Sequence, residues 1–104
     1  MGESKSSNTL LPTLSVLVNN YNYARFIGEA LEAILNQSYR PSEVIVVDDA
    51  SIDNSVEIIH QFVKRDPIVH LVKNEKNMGI FYNLNKFFSI ASGEYVYFAG
   101  SDDR

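Results

Sequence analysis

Two pairs of adjacent aspartates, Asp48-Asp49 and Asp102-Asp103, are the residues of this chain best suited to chemistry. Each pair follows closely on a short apolar run, Val44 to Val47 and Tyr95 to Ala99. A single pair in such a place has an ordinary reading, because Asp forms turns and caps helices. A second pair at another strand's end in the same sheet asks for more. Like charges gathered on one rim repel, and a hard cation or a ligand's hydrogen-bond donor relieves them. Carboxylate and water oxygens favour Mg²⁺ or Mn²⁺ over zinc. Tyr21, just past a third apolar run from Leu14 to Val18, offers a flat face on which a base can stack. Together these residues describe a divalent-metal and nucleotide site on the carboxyl rim of a sheet.

The elements that must position them are legible in the spacing. Leu14 to Val18, Val44 to Val47, Val69 to Val72 and Tyr95 to Ala99 are rich in Val, Ile and Tyr and too short for helices. The first two are apolar almost throughout, as in strands covered on both faces. Between the runs lie three helical patterns. Phe26, Ile27, Ala30, Leu31, Ile34 and Leu35 share one face; Val56, Ile59, Phe62 and Val63 recur at three and four; Ile80, Leu84, Phe87, Phe88 and Ala91 form the third stripe. Ser51 or Asp53 is placed to cap the second helix, Pro67 closes it, and Ser92-Gly93 precedes the last strand. The order β-α-β-α-β-α-β, with right-handed crossovers, predicts an α/β fold: an open, mainly parallel, Rossmann-like sheet with helices on both faces. Ligands of such sheets bind outside the carboxyl ends of the strands, where all four polar loops fall.

Composition narrows the function classes. The chain has 104 residues, 45% hydrophobic and 21% charged, enough for one core. Its net charge of −4 argues against nucleic acid as a partner, and the absence of Cys excludes disulfides and thiolate metal sites. No run approaches the roughly 18 to 20 apolar residues of a membrane helix. Residues 1–12 read as a flexible polar arm without a signal-peptide core; Gly2 and Ser6 stand at myristoylation spacing, with Glu3 between them. His60 and His70 have no partners at metal-ligand spacing, and Phe87-Phe88, Tyr95 and Tyr97 read as core and sheet-face residues.

The motifs resemble family 2 glycosyltransferases of the GT-A fold. Leu14-Ser15-Val16-Leu17-Val18-Asn19-Asn20-Tyr21-Asn22 is similar to their opening S-V-[IV]-[IV]-P-[TV]-Y-N, with Asn19 in place of Pro. Ala30 to Tyr39 resembles the end of their first helix. Glu43-Val44-Ile45-Val46-Val47-Asp48-Asp49-Ala50-Ser51-Ile52-Asp53 resembles E-[IV]-I-V-V-D-D-x-S-x-D, Asn77-Met78-Gly79 with Asn85 resembles N-x-G…N, and Gly93-Glu94-Tyr95-Val96 leads into the metal-motif strand. The resemblance runs from about Thr13 to the last residue.

It implies transfer of a sugar from a nucleotide-diphosphate-sugar donor to an acceptor hydroxyl on a carbohydrate or lipid-linked molecule, as in cell-wall or polysaccharide synthesis. Tyr21 would stack on the base, Asp49 would accept from the base ring, Asp48 would orient the rim, and Asn19 and Ser101 would add nucleotide contacts. Asp102, with Asp103 beside it, would ligate the divalent cation, Mg²⁺ or Mn²⁺. The first Asp of the family's D-x-D is Gly100 here, and Leu84 stands where many relatives carry Arg. Relatives place the general base of an inverting transfer after the metal motif, so residues 13–104 read as the N-terminal part of a GT-A domain, with the base expected beyond Arg104 and the chain inactive alone. The expected location is cytoplasmic, peripheral to the inner membrane face through absent segments. A sheet cut after its fourth strand predicts self-association. Two other readings stay open: a non-catalytic nucleotide-sugar-binding or interaction domain, and a receiver-like Mg²⁺-binding signalling domain, whose acidic pair would normally follow the first strand.

Overall fold

The computed structural model describes residues 13–100. The arm expected over 1–12 and the candidates Ser101, Asp102 and Asp103 lie outside the described residues. Within them the apolar runs become the strands β1 (Leu14–Asn20), β2 (Glu43–Asp48), β3 (Val69–Lys73) and β4 (Tyr95–Gly100). The helical stripes become α1 (Ala24–Leu35), α2 (Ser55–Arg65) and α3 (Ile80–Ile90). The sheet is parallel throughout, in the order β3-β2-β1-β4.

Alternation along the two central strands explains their unbroken hydrophobicity. Val16 and Val18 of β1, with Val44 and Val46 of β2, pack under α1 and α2 against Ile27, Leu31, Ile34, Ile59 and Phe62. Leu17, Ile45 and Val47 point to the other face and meet Phe87 of α3. Burying each such side chain contributes about 1.5–3 kcal/mol, so both faces favour this one register. The helices stop where their sequences dictate. Asp66 takes extended backbone ahead of Pro67, which disfavours helical geometry in the residue before it.

Three local expectations are corrected. Asn54, without a side-chain cap bond, is the N-cap of α2, while Asp53 reaches the Ser55 N–H from one residue earlier. Ser51 faces the rim instead. Phe88 is exposed, because α3 turns Phe81 and Phe88 away from the sheet and puts Asn83 on its buried side. Tyr95 and Tyr97 are exposed as well, since among the described residues β4 is an edge strand flanked only by β1.

The topology fixes where a ligand belongs. The chain steps outward from β1 to β2 to β3, then returns to place β4 on the other side of β1. The direction reverses between β1 and β4, and the carboxyl-end crevice at such a reversal is the general ligand site of open α/β sheets. Asn19 and Gly100 are register partners there.

Candidate functional site

The loops after β1 and β2 are built as one unit. Asp49 N–H donates to the Asn20 carbonyl at 2.8 Å, continuing the sheet's pairing past the strand ends. Asn20 Nδ2 donates to Asp48 Oδ1 at 2.9 Å and to Ser51 Oγ at 3.3 Å. Ser51 N and Oγ donate to Asp48 at 3.0 and 2.7 Å, and Asn22 N donates to Ser51 Oγ at 2.9 Å. Ile52 N returns a bond to Asn22 Oδ1 at 2.8 Å, and Ala24 N bonds Asp53 Oδ2 at 3.0 Å. The D-D-x-S-x-D run thus clamps the loop that carries Tyr21, whose ring is 43% exposed. Asn22 and Ala50 both take left-handed backbone, with φ of 57° and 64°. Asn tolerates that region; Ala50 carries strain in it at the turn that brings the aspartates together.

Asp49 faces the other way, toward α3. The residue is only 3% exposed. Oδ1 accepts from Asn74 Nδ2 at 2.9 Å and Met78 N at 2.8 Å, and Oδ2 accepts from Gly79 N at 3.0 Å. Gly79, at φ 89°, is the N-cap of α3 and has no side chain to cap it, so Asp49 supplies the anion for that helix end from another strand. Burial pushes the Asp49 pKa up. The bonds from Met78, Asn74 and Gly79, together with Asn83, outweigh it and hold the carboxyl below its ordinary value.

The relief of like charge expected from a cation or a ligand therefore comes first from the protein. Asp48 and Asp49 each accept three hydrogen bonds from protein donors. Among the described residues no group of three or more His, Asp or Glu is placed to hold a metal ion. The rim brings Asn19, Tyr21, Asp48 and Asp49 together at the ends of β1 and β2. His60 and His70 are exposed and stand apart.

Asn83 is the site residue that sequence reasoning missed. It is fully buried, donates from Nδ2 to Asn19 Oδ1 at 2.7 Å, and accepts at Oδ1 from Asn74 Nδ2 at 2.6 Å. The available signal was its phase: Asn83 lies three residues after Ile80 and four before Phe87, a polar residue on the buried side of an apolar stripe. Leu84, beside it, packs against the Leu17, Ile45, Val47 and Phe87 cluster. A groove of about 1000 Å³ lies to one side, between the β2–α2 loop and the end of β3. Its walls include Asp48, Ser51, Asp53, Lys73 and Glu75.

Comparison with known proteins places this geometry. The model of glycosyl transferase family 2 matches residues 15–104. A Bacillus subtilis glycosyltransferase named for teichuronic acid biosynthesis, TuaG, is 38% identical over 93 residues, which are 89% of this chain and 37% of TuaG. The mannosyltransferase PcManGT from Pyrobaculum calidifontis, solved with GDP-Man and Mn²⁺, superposes with a TM-score of 0.80 at 33% identity, covering 88% of this chain and 28% of that one. S. aureus TarS in complex with UDP-GlcNAc superposes at 0.78 and 32% identity, over 86% of this chain and 26% of that one. The chain spans about a third of the length of TuaG.

Proposed function

The chain belongs to glycosyl transferase family 2, and from that premise we propose that it forms the nucleotide-sugar-binding part of an inverting, metal-assisted transferase. The observation that carries this reading is the clamped rim. β1 and β2 end side by side, their loops are locked by Asp48 and Ser51, and Tyr21 is held out at the reversal point of the sheet. A base stacked on Tyr21 would lie beside Asn19 and near Asp49, whose Oδ2 accepts from Gly79 N at 3.0 Å. Ser101 would meet the nucleotide from the end of β4. The similar structures bind GDP-Man and UDP-GlcNAc, which supports a nucleoside diphosphate sugar as donor.

Because Asp48 and Asp49 already serve protein donors, a divalent cation would rest on Asp102 and Asp103, hard oxygen donors suited to Mg²⁺ or Mn²⁺. Held there, it would supply Lewis-acid neutralisation of charge on the departing diphosphate. The residues of this chain then bind and orient the donor. The acceptor and its general base would belong to the further length that relatives such as TuaG possess, so the chain by itself binds without turnover. Among the described residues no helix is long and apolar enough to cross a membrane. The reading extends to a cytoplasmic setting, at the inner membrane face where the acceptor is lipid-linked.

A receiver-like reading loses its support, because that topology seats β3 beside β1, whereas β4 is β1's neighbour here. Calorimetric titration with UDP and GDP in the presence of Mn²⁺ tests the proposal. Binding of at least one, abolished without the cation and weakened by Asp102→Ala, is expected. No heat from either nucleotide would sink it.

A further inference from the structure

Four consecutive backbone N–H groups, from Ser92 to Tyr95, are each taken by a group at or just before the start of β1 or β2. Ser92 N donates to Glu43 Oε2 at 2.7 Å, and Gly93 N to Ser15 Oγ at 2.8 Å. Glu94 N donates to Thr13 Oγ1 at 2.8 Å, and Tyr95 N to the Thr13 carbonyl at 2.9 Å, where strand pairing takes over. Three of the four acceptors are side chains. Their polarity is fixed from one end, because an ionised carboxylate only accepts. Ser15 turns its hydroxyl hydrogen to Glu43 Oε2, at 2.5 Å, which leaves its oxygen for the Gly93 N–H. The Ser92 hydroxyl adds a third bond to the same carboxylate oxygen at 3.2 Å. The strand that follows has little else to hold it in step. Backbone pairing does not choose among registers offset by two residues. Tyr95 and Tyr97 on one face and Val96 on the other are exposed, and of β4's described side chains only Ala99 packs against the core. Register is strongly specified where a face is buried and weakly where it is not.

We infer that Glu43 is a positioning residue for the cation site at the opposite end of the sheet: with Ser15 and Thr13 it counts β4 into register on β1, and so fixes where the chain emerges beside Asn19. This rests on the metal-assisted reading above and adds to it a residue remote from the rim. In the observed register Leu14 pairs with Tyr95 and Asn19 with Gly100. Side chains alternate with a period of two, so a shift by two residues keeps each face of β4 where it was and is the competing state. It would carry the end of β4 about 7 Å along the strand direction. Mg²⁺ takes its oxygen ligands at about 2.0–2.1 Å, so a ligand displaced by that much no longer reaches a cation held on a diphosphate at β1. The shift would also part Glu43 and the buried Ser15 hydroxyl from the N–H groups they hold, and that cost is what excludes it. A register set at one end of a strand is set at the other.

The test is disulfide trapping of the register in the whole chain, with Mn²⁺ affinity read alongside. The chain has no cysteine of its own, so introduced pairs report cleanly. Register partners on neighbouring strands stand about 5 Å apart and can be bridged, whereas residues offset by two stand about 8 Å apart and cannot. Val16→Cys should therefore cross-link with Tyr97→Cys and not with Tyr95→Cys or Ala99→Cys. Adding Glu43→Leu should spread cross-linking to the offset pairs. In the chain without cysteines, the same substitution should weaken Mn²⁺ binding in the presence of UDP or GDP by roughly tenfold or more. Glu43→Gln, which keeps an acceptor oxygen, should restore most of both. Thr13→Val removes one bond from an exposed position and should move both readouts the same way to a smaller extent, which keeps the test open if Glu43→Leu does not fold. Variants that melt lower yet keep the Val16–Tyr97 cross-link alone, or keep their Mn²⁺ affinity, overturn the inference while the metal reading stands. A wild-type chain that binds no Mn²⁺ with either nucleotide removes the metal reading and this inference together.

Discussion

Ser51 Oγ stands among three partners, donating to Asp48 and accepting from Asn20 Nδ2 and Asn22 N. Ser51→Ala would leave the Asn22 N–H without its partner and take from Asp48 Oδ1 one of its two donors, at a cost of about 1–3 kcal/mol in a urea unfolding titration. The same change frees the Tyr21 loop, so nucleotide affinity should fall with it. At this scale the sequence was partly readable. The D-D-x-S-x-D run stood out, with its serine read as a helix cap and its second aspartate as a ligand contact, but the bonds that Ser51 and Asp49 make within the protein did not. Both side chains have partners far away in the chain, Asn20 and Asn22 for Ser51 and Asn74, Met78 and Gly79 for Asp49. No local pattern specifies such pairings.

Between elements, the α3–β4 connection passes closely over the start of β1. Glu43 Oε2 accepts from Ser92 N at 2.7 Å, and Gly93 N donates to Ser15 Oγ at 2.8 Å, with Ser15 itself fully buried. A Cβ on Gly93 would stand 2.5 Å from Ser15 Oγ and 2.7 Å from Ser15 N, the latter part of β1's backbone. Gly93→Ala is therefore expected to cost about 1–3 kcal/mol, read as a lowered midpoint in thermal or denaturant unfolding. Its effect should reach β4 first, because Gly93 sets that strand's approach to β1. The sequence marked Gly93 as punctuation before the last strand. Why it must be glycine is a matter of van der Waals contact with a serine 78 positions earlier.

For the molecule as a whole, four carboxyls report on stability. Glu43, Asp49, Asp53 and Asp66 are all held below their ordinary values, 4.5 for Glu and 3.8 for Asp. For the first three, burial raises the pKa and a larger set of hydrogen bonds lowers it; for Asp66 the leading cause is the bond from Arg40. The unfolded chain then takes up more protons than the folded one as acid is added. These groups' stabilisation is complete above about pH 4.5 and is lost as pH falls through the folded values. Urea midpoints should be flat from pH 7 to 5 and drop steeply below 4, with a shallower drop in Asp49→Asn. A second expectation concerns β4, whose Tyr95, Val96 and Tyr97 are 62%, 43% and 53% exposed on a strand paired on one side among the described residues. Sedimentation should find concentration-dependent association, reduced by Val96→Lys, since a charged edge resists strand pairing. The sequence by itself determined the strands, the helices, their order and the polar rim, because periods of 2 and 3.6 and the turn residues between them act over a few neighbours. Only the tertiary structure decided that β4 lies beside β1, that the two aspartates bond inward, and that Asn83 speaks to Asn19. Those outcomes depend on closing loops of 25 to 81 residues, from Asp49 with Asn74 to Leu14 with Tyr95, and no short-range pattern encodes which groups will meet.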